Sequence, residues 1–232
     1  MAVYFEYDDN CDLPLETLPI SITHLDFGVM FNQSIDSLNR LEKLQNLKFG
    51  EQFNHCVNFL PKNLTHLLFN YEFNQNVDNL PPLIIYLKFG CMFNKFIDNL
   101  PINLTHLILG DNFNKPINNL PSMINKLILG LNFNKTVDNL PLNIKIIIFG
   151  SIFNQPINNL PNTLEQIIFS ANSLYTHSLN NLPNSIKIIC LGKYYNIEIT
   201  NLPENIKKIY CGKNYSWKND KCIIGSFIEY NK

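Results

Sequence analysis

The chain has 232 residues, with 18 lysines and arginines against 19 aspartates and glutamates, for a formal net charge of -1. Its one arginine is Arg40, so it has no basic stripe to neutralise a phosphate backbone, and nucleic acid is excluded as an expected partner. No run of about 18 apolar residues is present to span a membrane, and the acidic start around Asp8 and Asp9 is unlike a secretory signal, so the chain reads as soluble and intracellular.

Six cysteines, Cys11, Cys56, Cys91, Cys190, Cys211 and Cys222, form no CxxC pair and share no repeat spacing. They read as reduced thiols rather than a zinc site or a disulfide framework. Asn32, Asn63, Asn103 and Asn214 each open an Asn-x-Ser/Thr triplet, expected to stay unmodified without a secretory signal.

In chain order, the first candidate strand is Val3-Tyr-Phe5-Glu-Tyr7, with Phe5 and Tyr7 facing inward and Asp8 closing it. Cys11 and Leu15 then fill apolar slots ahead of Leu18-Pro19, which makes residues 1–20 a divergent N-terminal capping repeat. From there a register of about twenty residues runs along the chain. Phe-Asn recurs at Phe31, Phe53, Phe73, Phe93, Phe113, Phe133 and Phe153, and Leu-Pro at Leu18, Leu60, Leu80, Leu100, Leu120, Leu140, Leu160, Leu182 and Leu202. Tyr175, Tyr195 and Tyr215 continue the phenylalanine position, so residues 21–212 form the repeat array and residues 213–232 a C-terminal cap.

The unit reads F-N-x-x-[IV]-[DN]-N-L-P-x-x-[IL]-x-x-[LI]-x-[FL]-G. Its alternating segment, as in Leu47-Lys-Phe49 or Leu107-Ile-Leu109, predicts a short strand with one face turned inward. The glycine that follows, for example Gly50 or Gly110, is expected to adopt a turn conformation closed to side chains. The Leu-Pro step disfavours helix, which leaves an extended or 3-10 return segment. A single unit has too few apolar side chains to offset the ordering of its backbone, so only stacking makes it stable. The fold class is therefore mainly β: a solenoid of roughly ten to eleven short parallel strands.

The asparagine after each aromatic, at Asn32, Asn54, Asn74, Asn94, Asn114, Asn134, Asn154 and Asn196, can bond the rungs above and below and is read as a structural ladder. Thr176 and Ser216 keep part of that capacity.

Function is expected on the outward strand positions, which vary between repeats. One column runs His24, Asn46, His66, Tyr86, His106, Lys126, Ile146, Gln166, Ile188, Lys208. The other runs Asp26, Lys48, Leu68, Lys88, Ile108, Ile128, Ile148, Ile168, Cys190, Tyr210. Together they place Leu68, Ile108, Ile128, Ile146, Ile148, Ile168 and Ile188 on one apolar surface, with His24, His66, Tyr86 and His106 at its polar end. An apolar patch of that extent is expected to mark an interface with a protein or a second copy of the chain, the alternatives being a composition biased toward isoleucine or a face covered by the chain's own C-terminal cap.

His24, His66 and His106 sit on alternate rungs, about 9 to 10 Å apart at sheet spacing, too far to converge on one ion, so no metal or cofactor is expected. His24 beside Asp26 is an acid-base candidate without a nearby nucleophile, and no phosphate-cradle, zincin or nucleophile-elbow motif occurs.

The unit resembles the FNIP-repeat family, a relative of the leucine-rich repeats, most closely in Phe113-Asn-Lys-Pro-Ile117 and Phe153-Asn-Gln-Pro-Ile157. The resemblance covers the chain from Leu18 to Gly212 and implies protein binding through the exposed sheet face. Such repeats are typical of amoebae and of large DNA viruses that infect them. They are often joined to an N-terminal F-box that docks on a ubiquitin ligase, which implies a substrate-recognition role. The segment ahead of Leu18 is too short for an F-box, so none is expected here. The chain is thus read as a non-enzymatic scaffold for an unknown protein partner. The alternatives are a self-associating structural solenoid and, with least support, a carbohydrate-active β-helix enzyme. That enzyme would need carboxylates clustered near Asp26, Asp8, Asp9 and Asp12.

Overall fold

The computed structural model describes residues 3–7 and 14–224. Twelve strands form one sheet in chain order, each parallel to its neighbours. They are β1 (Tyr4–Tyr7), β2 (His24–Phe27), β3 (Asn46–Lys48), β4 (His66–Leu68), β5 (Tyr86–Lys88) and β6 (His106–Ile108), followed by β7 (Lys126–Ile128), β8 (Ile146–Phe149), β9 (Gln166–Phe169), β10 (Ile188–Cys190), β11 (Lys208–Cys211) and β12 (Cys222–Ile224). The count exceeds the expected ten to eleven because β12 adds to β11 after a loop much shorter than the repeat, where no register shows in the sequence. The expected roles of Asp8, Asp9, Cys11 and Asp12 concern positions outside the described residues, as does the cap beyond residue 224.

Equivalent residues pair across every rung. Leu47 lies opposite Leu67, Leu67 opposite Leu87, and Leu87 opposite Leu107, so the inward leucines form one column. At the N-terminal end Phe5 is opposite Leu25 and packs on the same core, which runs without a break from Leu15 to Tyr215. The return segments turn at proline: the carbonyl of Pro61 accepts from the Leu64 N–H, and Pro101, Pro141 and Pro161 repeat the bond. Among the described residues only the first two returns contain 3-10 turns, η1 (Leu15–Thr17) and η2 (Asp36–Arg40). Arg40 ties them together, its guanidinium donating to the carbonyls of Leu15 (2.8 Å) and Leu18 (2.7 Å).

The repeat glycine has a different cause from the one expected. No described residue has a positive φ, so a left-handed turn is not what excludes side chains. A Cβ on Gly110 would lie 1.6 Å from the carbonyl oxygen of Gly90, and one on Gly90 would lie 1.7 Å from that of Asn70. The rungs approach so closely there that a Cα hydrogen faces the carbonyl of the rung before, a weak contact repeated along the stack. Where Asn70 takes the slot, its side-chain amide donates to the Phe49 carbonyl, and where Ser170 does, its main-chain N–H takes the Phe149 carbonyl.

Rings stack along two columns. Within a rung, Phe49 and Phe53 lie 3.8 Å apart and nearly parallel, and Phe53 stacks on Phe73 of the next rung at 6.0 Å. The column continues through Phe153 onto Tyr175, Tyr195 and Tyr215. The hydroxyl of Tyr215 reaches the Ile197 carbonyl, whereas that of Tyr175 is buried without a partner. Burial pushes both phenols up, Tyr215 to about 12.

The asparagine ladder runs in one direction. Each side-chain oxygen accepts the main-chain N–H of the next rung's asparagine, from Asn54 to Asn32 (3.0 Å) through to Asn154 on Asn134 (2.9 Å). Asn74, Asn94 and Asn114 are linked in the same way. Thr176 donates both its main-chain N–H (2.9 Å) and its hydroxyl (3.1 Å) to Asn154, and further along Asn196 accepts from the Ser216 N–H. A second ladder, unforeseen in the sequence, occupies the [DN]-N pair before Leu-Pro: Asn99 donates to Asp78, Asn119 to Asp98 and Asn159 to Asp138.

Two stability effects of opposite sign follow from these contacts. Gly110→Ala forces the backbone of Gly90 aside and should destabilise by about 1–3 kcal/mol, read as a lower midpoint in thermal or urea unfolding. Tyr175→Phe removes a buried hydroxyl that has no partner and should raise stability by about 1 kcal/mol; a lower midpoint for this variant would show that the hydroxyl is satisfied in solution.

Candidate functional site

The strands alternate strictly, so residues flanking the inward leucine face away from the core. Outward from β2, β4 and β6 stand His24, His66 and His106, each preceded by a threonine. Thr65 Oγ donates to the Gln45 carbonyl (3.1 Å) and Thr105 Oγ to that of Ile85 (2.9 Å). Each hydroxyl oxygen is therefore left to accept from the adjacent histidine Nδ1, at 3.0 Å in His66 and 2.9 Å in His106. This assigns the proton to Nδ1 and turns the lone pair of Nε2 outward. In His24 that lone pair accepts from the Asn46 amide at 2.9 Å.

The rings form a polar aromatic stripe. Tyr4 lies 4.2 Å from His24, and Tyr86 sits between His66 (5.6 Å) and His106 (6.0 Å). Burial, and then the charge of His24, lowers the pKa of His66; burial, then Lys126 and His66, lowers that of His106. His24 and Asp26 do not act as a pair: His24 bonds Thr23 and Asn46, and Asp26 faces Lys48 at 3.5 Å.

Toward the C-terminal end the face turns apolar, but it is less open than the sequence suggested. Ile148, Ile168 and Cys190 are buried, at 8%, 4% and 3% exposure. Ile128, Ile146, Ile188 and Tyr210 pack around them as half-buried neighbours, giving a second hydrophobic cluster on the outward side. At sheet spacing each isoleucine covers the next, so a column of large side chains leaves little of itself accessible. The same burial pushes the Cys190 thiol up to about 11. Leu68 and Ile108 remain half-buried in the polar half.

Two features were missed in the sequence. One is a groove of about 180 Å³ at the C-terminal ends of β4 to β6, between Lys88 and Ile108 on the sheet and Tyr71, Cys91 and Asp111 on the loops, where the Cys91 thiol donates to Asp111 (3.2 Å). The other is the set Lys145, Lys187 and Lys207 just ahead of β8, β10 and β11, where Lys187 binds Glu165 at 2.7 Å. The recurring Thr-His-Leu triplet at Thr23, Thr65 and Thr105 was a legible signal for the histidine partners.

An inner face that repeats, an outer face that varies and a return without helix define a leucine-rich-repeat-like β-solenoid. The chain belongs to the FNIP Repeat family, whose profile matches residues 57–92, 93–132, 133–172 and 178–214, about two thirds of its length. It is similar to CroV588, a circular leucine-rich-repeat protein of a giant virus, at 37% identity and a TM-score of 0.83 over 91% of this chain. It spans only 34% of that protein. An internalin of Listeria monocytogenes, InlF, shares the fold at 15% identity and a TM-score of 0.59, with 84% of this chain and 63% of that one covered. No curated protein matches the sequence. Folds of this kind commonly bind proteins, and such repeat families are generally non-enzymatic scaffolds. Among the described residues no helix is long and apolar enough to cross a membrane.

The lowered histidines give a stability effect with a fixed sign. Because the folded pKa lies below the unfolded value of 6.5, the unfolded chain binds more protons as the pH falls through that value. Thermal midpoints should therefore fall on acidification from about pH 7 to about pH 5, and His66→Gln/His106→Gln should show a shallower fall.

Proposed function

We propose that the chain is a non-enzymatic scaffold that selects a protein partner through the outward face of its sheet. One contrast carries this reading. The inward column is Leu25, Leu47, Leu67, Leu87, Leu107, Leu127 and then isoleucine, whereas the outward column beside it passes through histidine, asparagine, tyrosine, lysine, isoleucine and glutamine. Packing accounts for the constant column and leaves the variable one free to serve recognition. In the half-buried stripe, His66 and His106 are held by the threonine bonds and Tyr86 stacks between them, so little ordering entropy is lost when a partner docks on it.

Self-association through the isoleucine column has less surface to use, because Ile148 and Ile168 are already covered. The reading therefore commits to a heterologous partner and to no downstream enzyme.

Crosslinking mass spectrometry on the tagged full chain tests it. Tyr86→Ala/His106→Ala should abolish the captured partner, while Lys62→Glu/Lys95→Glu on the exposed return loops should leave it in place. Loss with the loop variant alone would move recognition off the sheet.

A further inference from the structure

The outward face carries a charge imbalance that the repeat does not require. At the N-terminal ends of β7 to β11 stand Lys126, Lys145, Lys187, Lys207 and Lys208, in a chain whose formal net charge is -1. Glu165 lies among them, bonded by Lys187 at 2.7 Å, and its carboxyl is held below the usual range by that bond and by the charges of Lys187, Lys145 and Lys207. Three lysines thus converge on one carboxylate, which neutralises only one of them. Among the described residues, Lys126, Lys145, Lys207 and Lys208 make no ion pair.

Asp78, Asp98 and Asp138 lie on the return segments, holding asparagine side chains, and the acids nearest the rim in the chain are Glu165 itself and the exposed Glu204, three residues ahead of Lys207. Like charges gathered at one rim cost stability through mutual repulsion, a cost that an acidic ligand relieves. Beside the lysines, Ile146 and Ile188 supply half-buried apolar surface. From β7 to β11 the rim is four rungs long, about 19 Å, the span of about six residues of extended chain.

We propose that this rim binds an extended acidic segment of the partner protein, its carboxylates held by Lys126, Lys145, Lys207 and Lys208 and its apolar side chains resting on Ile146 and Ile188. The inference rests on the reading of the outward face as the partner-binding surface and names the chemistry of that partner. Lysines around an apolar floor suit a carboxylate-bearing peptide better than a nucleic acid, whose phosphates offer the isoleucines nothing to bury.

The test is fluorescence anisotropy on the full chain with a labelled peptide of alternating glutamate and leucine. Binding should weaken as salt is raised from about 50 to about 300 mM. It should fall about tenfold or more in Lys145→Glu/Lys207→Glu, with a thermal midpoint no lower than that of the wild type, and stay unchanged in Lys62→Glu/Lys95→Glu. A lysine and leucine peptide should not bind. No binding by the wild type, an unaltered affinity in the Lys145/Lys207 variant, or equal binding of polyuridylate would overturn the proposal; the last would make the rim a general polyanion site. If the peptide fails while the crosslinked partner still depends on Tyr86 and His106, the acidic-segment inference alone fails. If that partner is also insensitive to Tyr86 and His106, the scaffold reading fails with it.

Discussion

The rungs of this protein meet backbone to backbone at the glycine column, where the carbonyl of Gly90 occupies the space a Cβ on Gly110 would need. That approach sets the spacing for everything else. It brings Phe53 and Phe73 into parallel stacking and places each ladder asparagine within hydrogen-bond reach of the next rung's N–H. It also lines up the inward leucines so that one column seals the core. Contacts of this kind are individually weak, and repetition along twelve strands makes them sufficient.

The two asparagine ladders tie successive rungs at two corners of the coil, and only the first of them pairs main-chain groups. A return segment without helix leaves main-chain groups with no regular partner, and a half-buried N–H left unpaired is costly. At one corner the side-chain oxygen of Asn94 accepts from Asn114, and at the other Asn99 and Asp78 bind each other side chain to side chain. Arg40 meets the same need at the first rung by taking two carbonyls at once.

Because the inward half of each strand is committed to stacking, variation is confined to the outward half. There the face divides into a polar aromatic stripe over β1 to β6 and an apolar cluster with a lysine rim over β7 to β11. The stripe is oriented by its own neighbours, since threonine hydroxyls fix the ring nitrogens. The candidate acid-base pair of His24 and Asp26 is split between different partners.

The repeat, the parallel stack, the inward and outward columns and the ladder that begins at Asn32 are legible in the chain alone, because periodicity is a local property that every copy restates. Why glycine recurs emerges only from the tertiary structure, since a clash with the preceding rung cannot be seen within one unit. It alone showed that β12 joins the sheet out of register, that Asn99 binds Asp78, and that Arg40 closes the first rung. It also changed the reading of the isoleucine column: residue type marked Ile148 and Ile168 as a surface, and their packing against column neighbours left them buried. Accessibility depends on what stands on either side, and in a solenoid those neighbours lie a full repeat away in the chain.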